Sequence, residues 1–204
     1  MSLERIITDL KYRRKIFKQE FSKTLREQKR EDLFNKIRDS KQEGFFMLQG
    51  NSDKIDSILF DINPITGEKK LDIPEDVMYR IDYSNVDFDN VYARGMNFTG
   101  MLNVCINPET VFCKDMRDCV LYGVYIVGRF DGVYITRTNF TGSTGALIDP
   151  QTIYDKDLRG TILTDSIVVN DFEGVKIDNM SMQDVYLITP NDKKMIYGFQ
   201  KIKE

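Results

Sequence analysis

Asn97-Phe98-Thr99-Gly100 recurs as Asn139-Phe140-Thr141-Gly142, and the same 42-residue offset holds at the landmarks between and beyond them. Ile106-Asn107-Pro108-Glu109-Thr110-Val111 matches Ile148-Asp149-Pro150-Gln151-Thr152-Ile153, Lys114-Asp115-Met116-Arg117 matches Lys156-Asp157-Leu158-Arg159, and Phe130-Asp131-Gly132-Val133 matches Phe172-Glu173-Gly174-Val175. Self-similarity at this period requires stacked units sharing a continuous core. A worn earlier copy is visible in Phe88-Asp89-Asn90-Val91, which aligns with Phe130-Asp131-Gly132-Val133.

A finer beat runs inside each unit. Apolar residues stand at Phe98, Ile106, Val111, Met116, Leu121, Ile126, Phe130 and Ile135, then at Phe140, Ile148, Ile153, Leu158, Leu163, Val168, Phe172, Ile177 and Met182. Most steps are five residues, which neither the helical period of 3.6 nor the strand period of 2 generates. A chain that turns a corner every five residues does. Two places before many of these rungs sits a slim residue: Cys119, Val124, Gly128, Val133, Thr138, Ala146, Thr161, Ser166, Asn170 and Val175. One large and one slim inward position per side fits a narrow four-walled coil, with two coils per 42 residues. Asp, Asn, Thr and Gly beside the rungs, as in Asp82-Tyr83-Ser84-Asn85 and Asp171-Phe172-Glu173-Gly174, suit the tight corners.

On these residues the chain resembles the pentapeptide-repeat family, whose consensus is a small residue, Asp or Asn, Leu or Phe, then two polar or small residues. Lys156-Asp157-Leu158-Arg159-Gly160, Met96-Asn97-Phe98-Thr99-Gly100 and Thr138-Asn139-Phe140-Thr141-Gly142 carry the pattern most clearly. The likeness covers about residues 55 to 185. It implies a right-handed quadrilateral parallel β-helix, so the chain is expected to be mainly β, with an N-terminal α-helical segment read separately from the spacing of its apolar residues. The pattern is broken at the eight-residue steps through Ile106-Asn107-Pro108 and Ile148-Asp149-Pro150, where a loop is expected, and at Lys114 and Lys156, too charged for an unpaired inward site. Ile58, Leu59, Phe60, Ile62, Leu71 and Ile73 are expected to form an irregular first coil. Six or seven coils would give a rod roughly 30 Å long. Its C-terminal end needs covering, and Met195-Ile196-Tyr197-Gly198-Phe199 offers a seal or a pairing surface for a second copy.

Residues 2 to 43 differ in kind. Leu3, Ile6, Ile7, Leu10, Phe17, Phe21 and Leu25 fall at spacings of three, four or seven, and Leu33, Phe34 and Ile37 continue the face. The segment reads as one long amphipathic helix or two in succession, starting near Ser2 and stopping at Glu43-Gly44. Its stripe is expected to pack on the rod's end or on a second helix rather than on a membrane. Three segments follow: a helical arm at 1–46, the β-helix at 47–187, and a cap or dimerisation segment at 188–204.

Charge divides at the same boundary. Residues 1 to 46 hold thirteen Lys and Arg against eight Asp and Glu, the remainder sixteen against twenty-four. The net values are +5 and −8, giving −3 for the whole chain. No apolar run reaches the ~20 residues that span a bilayer, and the N-terminus is charged rather than signal-like, so a cytoplasmic location is expected. The odd count of three cysteines fits free thiols. The sequons at Asn97 and Asn139 follow from the repeat itself.

Histidine is absent, which excludes Ser-His-Asp, Cys-His and His-containing metal sites. Asp82, Asp87, Asp157 and Asp171 fall at repeat corners, which favours turn-making over acid/base work. Gly123-Val124-Tyr125 and Gly142-Ser143-Thr144-Gly145 read as turns rather than phosphate loops. The chain is therefore expected to be no enzyme and to need no cofactor or metal. Its expected work is protein binding, with acidic faces on the rod. The resemblance adds a sharper version: some pentapeptide-repeat proteins resemble duplex DNA in width and charge and bind DNA-handling enzymes such as gyrase. The alternative is a nucleic-acid or assembly adaptor, with the rod as spacer and a basic patch of Arg13, Arg14, Lys15 and Lys18 on the arm, although interleaved Glu20, Glu27, Glu31 and Asp32 suit an ordinary solvated face.

Overall fold

The computed structural model describes residues 3–40, 45–189 and 193–201. The chain divides into two compact units, Met1–Glu43 and Gly44–Glu204. The first is one continuous helix, α1 (Leu3–Asp39), rather than two. Phe34 and Ile37 are buried, whereas Leu25, from the same expected stripe, is exposed. The expected start at Ser2 and stop at Glu43-Gly44 lie outside the described residues.

The second unit is a β-solenoid. Its entry is built from β1 (Phe46–Met47), α2 (Ser52–Leu59), β2 (Phe60–Ile62), β3 (Lys69–Leu71), α3 (Glu75–Met78) and β4 (Ile81–Asp82). Phe46, assigned to the arm from sequence, belongs here, because β1 pairs in parallel with β4. The Asn51 side chain accepts a hydrogen bond from Lys54 N and caps α2, burying Ile55 and Leu59. β2 and β3 then pair antiparallel as a hairpin whose loop is closed by Asn63. This corrects the expected irregular first coil: the entry is a helix, a hairpin and a short helix.

Short parallel contacts follow, through β5 (Cys105–Ile106), β6 (Tyr125–Ile126), β7 (Leu147–Ile148), β8 (Ile162–Thr164), β9 (Ile167–Val169) and β10 (Ser181–Ile188). One ladder runs Asn97, Val120, Asn139, Ile162, Ser181, with every pair parallel. Its alternating intervals of 23 and 19 residues resolve the 42-residue repeat into two turns. The solenoid thus has about four turns and a length of about 19 Å at ~4.8 Å per turn. That is shorter than the six or seven coils expected, because residues 52–80 form a helix, a hairpin and a short helix that, among the described residues, join the parallel ladder only through Lys69, opposite Val91.

The rungs point inward. From Phe98 to Met182 all are buried except Phe172 and Ile177, which are half-buried. β10 stacks on β8 and β9 and so covers Leu163 and Val168, whereas no further strand among the described residues pairs over Phe172 and Ile177. Of the slim positions, Gly128 is exposed and Asn170 half-buried, since both fall at left-handed turn residues; the other eight are buried.

A local rule makes the corners. The rung carbonyl accepts from the N–H three residues on, as in Phe98 O with Met101 N and Phe140 O with Ser143 N. The residue two places after the rung has positive φ: Gly100, Asp118, Gly123, Arg137, Gly142, Gly160, Asp165, Asn179 and others. That is the requirement of a type II turn. The Asp or Asn before the rung accepts from the N–H just after it: Asp82 from Ser84, Asp87 from Asp89, Asn97 from Thr99, Asp157 from Arg159, Asp171 from Glu173. Lys114 and Lys156 leave the interior by a second device. Cys113-Lys114 and Asp155-Lys156 each place two successive residues at positive φ, so both lysines are exposed.

β11 (Lys193–Lys201) runs back antiparallel along β10, with a bulge between Gln183 and Val185. The C-terminal strand thus ends the sheet, in the order β11-β10-β9-β7. Residues 190–192 and 202–204 of the expected cap, and the side chains of Met195 to Phe199, lie outside the described residues.

The slim column also carries buried polar groups that are satisfied one turn back. Cys119 Sγ, Thr138 Oγ1 and Thr161 Oγ1 donate to the carbonyls of Ala93, Met116 and Ile135 at 2.9, 2.6 and 3.0 Å. Burial pushes the Cys119 thiol up to about 12, while Cys105 and Cys113 are exposed. Thiolate is the reactive form. The native chain is therefore expected to release two equivalents with a disulfide reagent at about pH 8 and the third only on unfolding. Three rapid equivalents in the native state would contradict a closed interior around Cys119.

Candidate interaction surfaces

Because successive turns are 19 to 23 residues apart, side chains distant in sequence form columns on the solenoid. Two columns carry most of its organised charge.

One follows the corner after Ala93, Met116, Ile135 and Leu158, where Arg94, Arg117, Arg137 and Arg159 stand on four successive turns. Arg117 grips Asp115 through two nitrogens at 2.8 and 2.6 Å, and Arg159 grips Asp157 at 3.0 and 2.7 Å. Arg137 reaches back one turn to Asp118, at 2.5 and 2.9 Å, and Arg94 approaches the same carboxylate at 3.9 Å. Beside them Tyr134 and Tyr154 stack with ring centroids 3.7 Å apart, and the Arg117 guanidinium lies 4.8 Å from the Tyr134 centroid.

The arginines hold Asp118 and Asp157 below the usual carboxylate range, chiefly through hydrogen bonds from Arg137 and Arg159. For Asp115, burial pulls upward, but hydrogen bonding and charge from Arg117 outweigh it and the pKa falls. Lowered carboxylates add stability above their unfolded values near 4 and lose it as the pH falls through the folded ones. Solvent screening at this exposed corner keeps that contribution small.

The second column lies between the β5–β6–β7–β9 rungs and the next corner. It contains Asp87, Asp89, Glu109, Asp131, Asp149, Asp171 and Glu173. Polar bridges tie it turn to turn: Thr110 Oγ1 donates to Asp89, Thr152 Oγ1 to Asp131 at 2.6 Å, Asn170 Nδ2 to Asp149 at 2.7 Å, and Gln151 Nε2 to Asp171 at 3.3 Å. Asn107-Pro108 and Asp149-Pro150, expected to bow out as loops, are instead tight turns with both prolines buried, each closed by its own Asx hydrogen bond. Among the described residues the cations here are Arg129, paired with Asp131 and Asp149, Lys69, paired with Asp87 and Asp56, Lys114, whose Nζ donates to the Asp131 carbonyl at 3.2 Å, and Lys156, whose Nζ donates to Gln151 Oε1 at 2.6 Å. Glu109 and Glu173 are exposed and have no ion pair among the described residues.

The basic patch expected at Arg13, Arg14, Lys15 and Lys18 lies on α1. Lys15 is exposed; the side chains of the other three lie outside the described residues. The net −8 of the repeat region hid this segregation, because an average over the segment erases columns. The arginine column was legible only by reading the one or two residues after every fourth rung as a separate series. No helix among the described residues is long and apolar enough to cross a membrane. No family model, no curated protein and no solved structure matches the chain.

Proposed function

We propose that this chain is a non-enzymatic protein-binding scaffold whose solenoid is of the right-handed, four-sided pentapeptide type, and that its acidic column docks on the basic surface of a DNA-handling enzyme. Four rungs per turn, nearly all buried and most followed by a tight turn, support the four-sided section. The acidic column supports the docking. It presents carboxylates on successive turns, with Asp89, Asp131 and Asp171 held at fixed height by the Thr110, Thr152 and Gln151 bridges and Asp149 buried, so binding them does not require ordering flexible side chains. The corner aspartates Asp82, Asp87, Asp157 and Asp171 act as turn caps, which leaves them a structural task.

The test is binding of the full chain to purified gyrase, with inhibition of supercoiling as a second readout. Charge complementarity of this kind is screened beyond ~8–10 Å at physiological salt, so affinity is expected to fall about tenfold or more between ~50 and ~300 mM salt. Glu109→Lys with Glu173→Lys is expected to weaken binding a further tenfold or so, since like charges then face each other. Neither glutamate side chain has a hydrogen-bond partner among the described residues, so the fold should be unaffected. Undiminished binding by the doubly reversed chain would remove this reading.

A further inference from the structure

The acidic column and the arginine column sit on different rungs of the same coil, so both repeat with the rise of one turn, ~4.8 Å. Any second copy lying alongside in the same direction therefore meets the arginine corner with its own acidic column in register, turn for turn. We propose that the arginine corner of one molecule is a docking surface for the acidic column of a second copy, giving weak side-by-side association. The inference shares the acidic column with the function proposed above but adds the other half of the contact.

Guanidinium chemistry fits the arginine corner to this role. Arg117, Arg137 and Arg159 each hold their own aspartate through Nε and Nη2, which fixes the plane of the group. A guanidinium has five N–H donors, and this grip leaves Nη1 with both of its hydrogens for a carboxylate from outside. Arg94, with one contact at 3.9 Å, is the least committed. On the opposing surface Glu109 and Glu173 supply carboxylates without cations of their own among the described residues. The relation is head-to-tail, because among the described residues each solenoid offers one column of each sign; copies related by translation in the same direction do not close a ring and extend with concentration.

Contact along about four turns is short, so association belongs to the weak class and needs low salt. Sedimentation of the full chain is expected to show a weight-average mass that rises with concentration at ~20 mM salt and returns to monomer at ~500 mM. Two neutralised chains separate the surfaces. Arg94→Gln with Arg137→Gln disarms the arginine corner while leaving Asp118 partly hydrated, and keeps the Arg117 and Arg159 pairs that support Asp115 and Asp157. Glu109→Gln with Glu173→Gln disarms the other side.

Each variant alone is expected to associate at least about fivefold more weakly than the parent. An equimolar mixture should form a 1:1 complex that does not extend, because each variant contributes its one intact surface. Association that ignores salt and both variants would place the contact elsewhere, for instance at the open edge of β11, and would overturn the proposal. So would a monomeric parent at low salt. Gyrase binding by the Arg94/Arg137 variant is expected to persist, so loss of self-association there with partner binding intact tells the two readings apart.

Discussion

Replacing Lys69 by Met is expected to destabilise the repeat unit by about 3–5 kcal/mol, the usual cost of removing one partner from a buried ion pair. Lys69 Nζ lies 2.7 Å from Asp56 Oδ2 and 3.1 Å from Asp87 Oδ2, and also donates to the Asp87 carbonyl at 3.2 Å. The Lys69 and Asp56 side chains are only 10% and 9% exposed, so water cannot replace the lost ammonium. Phe60 closes the site, its ring centroid 5.7 Å from Nζ. Three elements meet at this one nitrogen: α2 brings Asp56, the β2–β3 hairpin brings Lys69, and the first turn brings Asp87. The ammonium thus locks the entry of the solenoid to its coil.

The sign of the pH effect follows from the same contacts. Burial alone would lower the lysine pKa, but hydrogen bonds and charge from Asp56 and Asp87 overcome it and the value rises. A raised lysine stabilises fully below its unfolded value of about 10.5, and that contribution is lost as the pH climbs through the folded value. Urea melts at neutral pH should show the deficit, and the variant should lose less stability than the parent between neutral and strongly alkaline pH. Removing both charges, as Lys69→Met with Asp56→Leu, should recover much of the loss, because the stranded carboxylate goes with its partner. A single Lys69→Met chain within about 1 kcal/mol of the parent would show that the ammonium does not hold the entry.

This lock was invisible in the sequence for a physical reason. The rung ladder was legible because each rung is one residue in five and must be apolar, a pattern independent of partners. A buried pair has no periodicity. Lys69 is 18 positions from Asp87 and 13 from Asp56, and reading Ile58 to Ile73 as worn coil hid the elements that join them. The signals were local. Asn51-Ser52-Asp53 ahead of Ile55 and Leu59 is a helix start, and Asn63-Pro64 with Gly67 between Phe60-Ile62 and Lys69-Leu71 is a hairpin turn. The charge columns were hidden differently. Arg94, Arg117, Arg137 and Arg159 are 20 to 23 residues apart, and only the alternating 23- and 19-residue turns bring them together.

Gly145→Ala is expected to cost about 3 kcal/mol, while Gly132→Ala costs about 1, although both glycines are left-handed. Gly132, at φ +68, has open space where a Cβ would stand, so the change meets only the conformational preference. Asp118, Arg137 and Asp165 hold equivalent corner positions with ordinary side chains, which keeps that part small. Gly145, at φ +83, differs because its Cβ would lie 2.6 Å from the Ile126 carbonyl oxygen. That carbonyl cannot retreat. Ile126 N donates to Thr144 O at 2.7 Å and Val127 N to Ile106 O at 2.9 Å, so moving the peptide between them breaks the ladder on two turns. Gly142→Ala should fall between the two, because its Cβ would meet the Tyr122 ring at 2.7 Å and a surface tyrosine can swing aside. The preceding repeat places Asn103, φ 58, where this one has Gly145, which shows that the conformation belongs to the repeat and the close approach to this turn alone. Equal losses at positions 132, 142 and 145 in chemical melts would mean that φ sets the cost and that the turns are not packed backbone to backbone at Ile126.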